Sequence, residues 1–98
     1  MNTETLDETQ SLMLDGNAIA GILYDLFSVE MTLAPVECAA CGSISAVGRL
    51  LAFVESPGYV IRCPDCQGII MRLAVTPGEI YLDVRGASYL CIPRKDQA

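Results

Sequence analysis

The first third of the chain carries a helical pattern of apolar residues. They recur at spacings of three and four, at Ile19, Ile22, Leu23, Leu26 and Phe27. This stripe predicts an amphipathic helix, with polar or small residues on its opposite face. Asp15 is placed to cap the helix, because its carboxylate accepts hydrogen bonds from the first free N–H groups. Gly16 and Gly21 each weaken the helix by about 1 kcal/mol relative to Ala. We therefore expect it to need docking, on its own domain or on another chain.

Beyond residue 37 the pattern changes to short apolar segments of strand length. They span 46–54, 59–62, 69–75 and 79–84, and 88–93 is a candidate for a final short strand. Turn sequences separate them at Ser56-Pro57-Gly58 and Thr76-Pro77-Gly78. The fourth segment alternates apolar and polar side chains, the period of a half-buried strand. The second half of the chain is therefore predicted to form antiparallel hairpins.

These patterns predict an α+β fold, in which an N-terminal amphipathic helix precedes a small antiparallel β-structure. A chain of 98 residues has room for one domain. We assign residues 12–92 to it, residues 1–11 to a flexible acidic tail and residues 93–98 to a second flexible tail. A domain of this size buries a limited core, and four Tyr, two Phe and no Trp make that core light. A bound metal would supply the missing cross-link.

The net charge of -6 is concentrated in the first 30 residues. That segment holds six acidic residues and no Lys or Arg, whereas residues 31–98 hold six of each sign. Nucleic-acid binding needs clustered Lys and Arg that displace counterions from phosphates, so this distribution argues against it. The sequence leaves open whether four arginines converge on one face, namely Arg49, Arg62, Arg72 and Arg85.

The N-terminal sequence lacks the features of a membrane or secretory segment. No apolar run approaches the roughly 18 residues that cross a bilayer. The first eight residues are acidic and polar, without the basic start of a signal peptide. We therefore expect a cytoplasmic protein, in a compartment where free thiols and metal thiolates outlast disulfides.

Two Cys-x-x-Cys pairs are the most specific feature of the sequence. Cys38 and Cys41 form the first pair and Cys63 and Cys66 the second, with 21 residues between the pairs. Four thiolates at this spacing suit the tetrahedral preference of a structural Zn²⁺ ion, and we predict these four as its ligands. Iron in a rubredoxin-like site and redox-active dithiols are the alternatives, since an all-sulfur site accepts either metal. The sequence contains no His, which excludes mixed Cys/His sites.

Each pair is expected to lie in a tight loop, here called a knuckle, whose backbone N–H groups point at the sulfurs. Gly42 follows the first pair and tolerates a positive φ angle. Gln67 takes the same position in the second knuckle, with some strain. Arg62 directly precedes the second pair, where it either offsets thiolate charge or is an ordinary surface residue.

Cys91 is the fifth cysteine and lies outside both knuckles. Its neighbours Leu90 and Ile92 are apolar, so we expect a buried thiol that packs as a small apolar side chain. A reactive thiol or an intermolecular bridge is the alternative.

The two knuckles and the hairpins around them resemble zinc ribbons of the rubredoxin-like class, over residues 36–84. A longer resemblance, over residues 14–90, is to a small bacterial zinc-ribbon family without an assigned function. The stretches that carry it are Leu14-Asp15-Gly16-Asn17-Ala18 and Glu30-Met31-Thr32. The resemblance implies a helix followed by an antiparallel zinc ribbon with two knuckles, and it implies zinc at the four cysteines. It implies no activity.

The sequence favours a structural-zinc protein that acts as a protein-interaction or regulatory module and not as an enzyme. Four protein ligands leave no open position for water or substrate, and without His the chain lacks the usual general base at neutral pH. The partner would be another protein or a second copy of the chain, and no membrane or small-molecule substrate is indicated. A rubredoxin-like electron carrier with iron is the alternative, and a nucleic-acid-binding zinc ribbon comes third.

Overall fold

The computed structural model describes residues 13–94, which form eight strands in two antiparallel sheets. The large sheet has the strand order β1-β4-β5-β6-β7 and the small sheet the order β3-β2-β8. The predicted tails lie outside the described residues except for Pro93 and Arg94, so their flexibility and the domain bounds stay predictions. The strands are β1 Met13–Asp15, β2 Pro35–Cys38, β3 Ile44–Ala46, β4 Leu51–Glu55, β5 Gly58–Arg62, β6 Ile69–Val75, β7 Ile80–Asp83 and β8 Ala87–Leu90.

One helical segment connects β1 to β2. It begins as a 3₁₀ turn, Gly16–Ile19, and continues as helix α1, Ala20–Phe27. The Asp15 carboxylate accepts a hydrogen bond from the Asn17 N–H at 3.0 Å, so the predicted cap is confirmed. Helix α1 ends at Ser28, whose φ of 61° is left-handed and cannot continue the helix.

The predicted fold class, an α+β fold led by an amphipathic helix and followed by a small ribbon, is wrong. The protein is mostly β-structure, and the helical segment is only 12 residues long. The chain before it is extended, because β1 pairs antiparallel with β4 and places Met13 opposite Phe53. Three residues are too few to show a strand period, so the pattern did not predict β1. Within residues 13–94, no helix has both the length and the apolar character needed to cross a membrane.

The helical segment, formed by the 3₁₀ turn and helix α1, docks on its own domain. Ile19 and Leu23 are buried in the core, and Ile22 and Phe27 pack against that core while partly exposed. Leu26 is exposed, so the buried stripe is narrower than the sequence predicted. Packing against the rest of the chain therefore offsets the helix stability that is lost through the two glycines.

The predicted strand 46–54 is two strands that belong to different sheets. β3 ends at Ala46, a 3₁₀ turn spans Val47–Arg49, and β4 begins at Leu51. The Val47 and Gly48 N–H groups donate to backbone carbonyls of the segment before β2, at 2.9 and 2.8 Å. These bonds turn the chain from the small sheet to the large one. The other four predicted strands are confirmed, and they correspond to β5, β6, β7 and β8.

The core lies between helix α1, one face of the large sheet and the inner face of the small sheet. Its side chains are mainly aliphatic, and Cys38 and Cys63 belong to it, each with 1% of its surface exposed. The candidate metal centre is therefore built on the edge of the same core that joins the two sheets. Other fully buried members are Ile19, Leu23, Met31, Val36, Val47, Leu50, Ala52, Ile61, Ile70 and Met71.

Gly86 joins the two sheets beside the cysteines. Its N–H donates to the Ile70 carbonyl at 3.1 Å, and its carbonyl accepts from the Ala39 N–H at 2.9 Å. Ile70 lies in β6, just after the second knuckle, and Ala39 lies inside the first. A Cβ atom at Gly86 would lie 1.9 Å from the Ile69 carbonyl oxygen. This contact explains why the position needs Gly: the connection between β7 and β8 passes against β6.

Candidate metal centre

Two hairpin loops bring the four predicted ligands together. The first knuckle connects β2 to β3 and the second connects β5 to β6. The four Sγ atoms all lie within 4.8 Å of one another. The sulfurs of Cys38 and Cys66 are 3.6 Å apart, and those of Cys41 and Cys63 are 3.7 Å apart. Both of these close pairs join one knuckle to the other, so the cluster bridges the small sheet and the large sheet.

The two knuckles share one backbone frame. In each, the N–H of the first cysteine donates to the carbonyl five residues later, Ser43 or Gly68, at 2.9 Å. The carbonyl of that cysteine accepts from the residue four positions later, Gly42 or Gln67, at 2.8 Å. As a result the first cysteine of each knuckle is buried and the second is exposed.

The fourth position after the first cysteine is left-handed in both knuckles. Gly42 has a φ of 81° and Gln67 a φ of 65°. The expectation that Gln67 adopts the conformation of a glycine is therefore confirmed. A residue with a Cβ in this region costs roughly 1–2 kcal/mol. The Gln67 carbonyl accepts a 2.8 Å hydrogen bond from Nη1 of Arg62, which holds the strained turn in place.

Polar donors surround the sulfurs. The Asp65 N–H donates to Sγ of Cys63 and the Gly68 N–H to Sγ of Cys66, both at 3.3 Å. The Ser43 hydroxyl lies 3.2 Å from Sγ of Cys41 and 3.5 Å from Sγ of Cys63, and so contacts both knuckles. Such donors stabilise the thiolate form that binds metals. Sequence analysis missed Ser43, although its place two residues after Cys41 was a usable signal.

Two of the four clustered thiols, Cys63 and Cys66, have pKa values shifted in opposite directions. Burial raises the pKa of Cys63, but hydrogen bonds from the Ser43 hydroxyl and from the backbone N–H groups of Cys66 and Asp65 outweigh it and lower that pKa to about 6. The Ser43 hydroxyl, and then its N–H, also lower the pKa of Cys41.

The Cys66 thiol holds its proton more strongly than an ordinary thiol does. The Gly68 N–H favours the Cys66 thiolate, but desolvation and the other three sulfurs raise the pKa of Cys66 to about 11. Like charges this close oppose full ionisation. A bound divalent cation compensates that repulsion, and its binding releases the remaining protons.

The four-sulfur arrangement fits a tetrahedral metal ion. A Zn–S bond of about 2.3 Å gives an S₄ tetrahedron with edges of about 3.8 Å, close to the observed 3.6 and 3.7 Å. These separations exceed the roughly 2.05 Å of a disulfide, and all five cysteines are free thiols. An all-sulfur tetrahedral site also suits iron. The structure therefore supports a metal site at these cysteines, while the ion itself stays a prediction.

Arg62 directs its guanidinium at the backbone of the second knuckle, and whether its charge also offsets the thiolates stays a prediction. Its guanidinium donates to the Gln67 carbonyl and lies 6.0 Å from the centre of the Phe53 ring. It therefore supports the backbone of the second knuckle.

The prediction of a buried thiol at Cys91 is wrong. Cys91 is exposed, and its N–H donates to the Pro35 carbonyl at 2.8 Å, which extends the pairing of β8 with β2. The apolar neighbours suggested burial, but this part of the chain runs along the edge of the small sheet.

Comparison with known proteins adds a family but no activity. The profile described as Family of unknown function (DUF6510) matches residues 7–95. No curated protein and no solved structure matches the chain. The matched range covers both knuckles and all eight strands of the described residues.

Proposed function

Because the chain belongs to this family of unknown function, we propose its role from the site itself: a small, non-enzymatic module built around a structural metal ion. Zn²⁺ is the ion we propose, held by Cys38, Cys41, Cys63 and Cys66. The observation that supports this proposal most directly is that both close sulfur pairs connect the small sheet to the large sheet. An ion at this position links the two halves of the fold. Zinc binding to such sites contributes on the order of 10 kcal/mol that is inseparable from folding.

Several features support a structural role over a catalytic one. Four protein ligands complete a tetrahedral shell and leave no position for water or substrate. Two of the four sulfurs belong to buried residues of the core. The chain has no His to serve as general base. We therefore propose a regulatory or protein-binding role, in the cytoplasm, where zinc thiolates persist.

Metal analysis of the native protein tests this proposal. We expect one zinc ion per chain, a colourless protein, and loss of cooperative unfolding when a strong chelator removes the ion. Restoring Zn²⁺ should restore the unfolding transition. A protein that keeps its circular dichroism spectrum and melting temperature after complete metal removal would contradict the structural role.

A rubredoxin-like electron carrier is the second candidate, and one observation favours it. Cys41 and Cys66 are exposed, so two ligands of a bound iron ion would lie at the surface where a redox partner docks. Such a protein is red as purified and loses its thiolate-to-iron absorption on reduction. A colourless protein with stoichiometric zinc would remove this candidate.

A further inference from the structure

A cleft of about 440 Å³ lies where β6 approaches the connection between β7 and β8. Residues 69–72 of β6 line one side, and Asp83, Arg85 and Gly86 line the other. Gly86 ties the two sides together, because its N–H donates to the Ile70 carbonyl at 3.1 Å. Pockets that bind small ligands have volumes of about 300–1,000 Å³, so this cleft has the size of a small-molecule site.

Two arginines line the cleft. The sequence alone left open whether four arginines converge, and the structure brings two of them, Arg72 and Arg85, to this place. Arg62 instead supports the second knuckle, and Arg49 ends the 3₁₀ turn that leads to β4. Two of the six basic residues of the chain therefore line one cleft, in a protein whose net charge is -6.

Asp83 holds the side chain of Arg85 in place. The Arg85 N–H and its Nε both donate to Oδ1 of Asp83 at 3.0 Å, and the same Nε lies 3.0 Å from Oδ2. The Arg85 side chain is exposed, and its two Nη groups make no hydrogen bond with any of the described residues. Asp83 thus orients this guanidinium while its outer N–H groups stay available to a ligand.

Arg72 lies directly opposite Asp83 in the antiparallel pair of β6 and β7. Within residues 13–94, however, Arg72 makes no hydrogen bond or ion pair. The N–H and guanidinium of Arg85, and then the charge of Arg72, lower the pKa of Asp83, although desolvation raises it. Asp83 is therefore ionised at neutral pH. Its one negative charge stands against two guanidinium charges, so the side chains that line the cleft are positive in sum.

These charges restrict what the cleft can bind. A cation would compete with Arg85 for the single carboxylate, whereas an oxyanion finds N–H donors on two guanidinium groups. Guanidinium binds phosphates and carboxylates through two parallel hydrogen bonds. The cleft is also lined by Ile69 and Ile70, and its volume has room for an organic group beside the anion. A nucleic acid would need a longer run of basic side chains than these two.

We propose that this cleft binds a small organic oxyanion, a phosphate monoester or a carboxylate, between the guanidinium groups of Arg72 and Arg85. Asp83 is a positioning residue that orients Arg85. The site lies outside the metal centre and goes beyond the structural role proposed for the ion. Two charge-assisted contacts in an open cleft give a Kd on the order of 1 mM.

Titration of the full, zinc-loaded chain with glycerol phosphate and with succinate, at constant ionic strength, tests the proposal. NMR spectra of the backbone amides and of the arginine Nε–H groups show which residues respond. We expect saturable shifts at Arg72, Arg85 and Gly86 with at least one of the two anions, and the tighter one identifies the oxyanion that the cleft prefers. Glycerol is the uncharged control and should cause no shift there. Saturable binding of neither anion up to about 50 mM, or equal binding of glycerol, would overturn the proposal.

Two arginine variants test whether the cleft itself binds the anion. Arg72→Gln removes one of the two guanidinium groups and should weaken binding at least about 10-fold. Arg49→Gln is the matched control, because it removes the same charge from an exposed arginine outside the cleft, and it should bind like the wild type. Arg72 is also exposed, so the variant should keep the melting temperature of the ligand-free wild type. Equal weakening by both variants would show that only the overall charge attracts the anion, and the site would be wrong.

Zinc measured in the same samples separates this proposal from the structural metal centre. A folded, zinc-loaded protein that binds neither anion overturns only the cleft. A protein that folds without metal overturns only the structural role of the ion.

Discussion

The two knuckles have the same backbone frame but differ in what supports it. The first has Gly42 at the left-handed position and a hydroxyl, Ser43, that reaches sulfurs of both knuckles. The second has Gln67 at the left-handed position and is held by Arg62 through a backbone carbonyl. The first knuckle thus contributes a side-chain donor to the shared centre, and the second relies on its own loop.

This difference indicates that the frame does not depend on glycine. The two backbone hydrogen bonds within each loop have equal lengths in the two knuckles, although one left-handed residue carries a side chain. The bonds and the sulfur cluster therefore fix the loop, and the residue at the left-handed position only adjusts its stability. Four tests by substitution show how far the knuckles are equivalent.

Loss of a ligand should have the largest effect, and the same effect in either knuckle. Cys38→Ala and Cys63→Ala each remove a buried sulfur that contacts a cysteine of the other knuckle. Most of the metal contribution, on the order of 10 kcal/mol, should be lost, so neither variant should show a cooperative melting transition. Cys91→Ala is the control and should change stability by less than about 0.5 kcal/mol, because Cys91 is exposed. Wild-type melting of either ligand variant would remove the structural role of the centre.

Gly86→Ala should have the next largest effect, because Gly86 is hydrogen-bonded both to Ala39 in the first knuckle and to Ile70, just after the second. The new Cβ would lie 1.9 Å from the Ile69 carbonyl oxygen, so the connection between β7 and β8 must move away from β6. We expect a loss of about 1–3 kcal/mol in the free energy of unfolding, typical of overpacking, measured by denaturant titration. Gly78→Ala is the matched control, since no atom lies within 4 Å of its added Cβ. Equal stability of the two variants would show that the backbone at Gly86 can move away from β6 without cost.

The knuckles were predictable from the sequence because their chemistry is local. Each Cys-x-x-Cys pair sits between two strands that pair directly, so the spacing alone indicated one cluster. The division into two sheets was not predictable. The run 46–54 is apolar apart from Gly48 and Arg49, which suggested one strand, but it is broken by backbone hydrogen bonds to Ala34 and Thr32, which lie in a segment without a strand pattern.

The exposure of Cys91 at the sheet edge was the other property that the local sequence pattern did not predict. Cys91 has apolar neighbours, yet it lies on the outer face of the small sheet, where no further layer covers it among the described residues. Ser43 was missed for a related reason, since its contact with Cys63 joins residues 20 positions apart. Both depend on how the hairpins are placed relative to one another.

Exchange of the left-handed residues should have a smaller effect, of opposite sign in the two knuckles. Gly42→Ala puts a Cβ at a φ of 81° and should cost roughly 1–2 kcal/mol. Gln67→Gly relieves that strain but makes the unfolded chain more flexible, so we expect a gain of no more than about 1 kcal/mol. Both are measured as changes in the free energy of unfolding of zinc-loaded protein. If Gln67→Gly is instead clearly destabilising, the Gln67 side chain supports the loop in a way that its backbone does not account for.

Ser43→Ala should have the smallest effect on stability and should act on the acid sensitivity of the centre. The Ser43 hydroxyl helps to lower the pKa of Cys63 to about 6. A thiol whose pKa is lowered in the folded state contributes stability above its ordinary pKa, and that contribution is lost as the pH falls through about 6. Without the hydroxyl this pKa rises, so protons compete with the metal at higher pH. We expect zinc affinity at neutral pH to fall about 10-fold and the midpoint of acid-induced zinc release to move to higher pH. Both are measured with a competing chromophoric chelator.

The control for this variant is Ser88→Ala, which removes an exposed hydroxyl from β8 and should leave the zinc-release curve unchanged. Identical curves for the two serine variants would mean that the Ser43 hydroxyl does not affect the acid sensitivity of the centre.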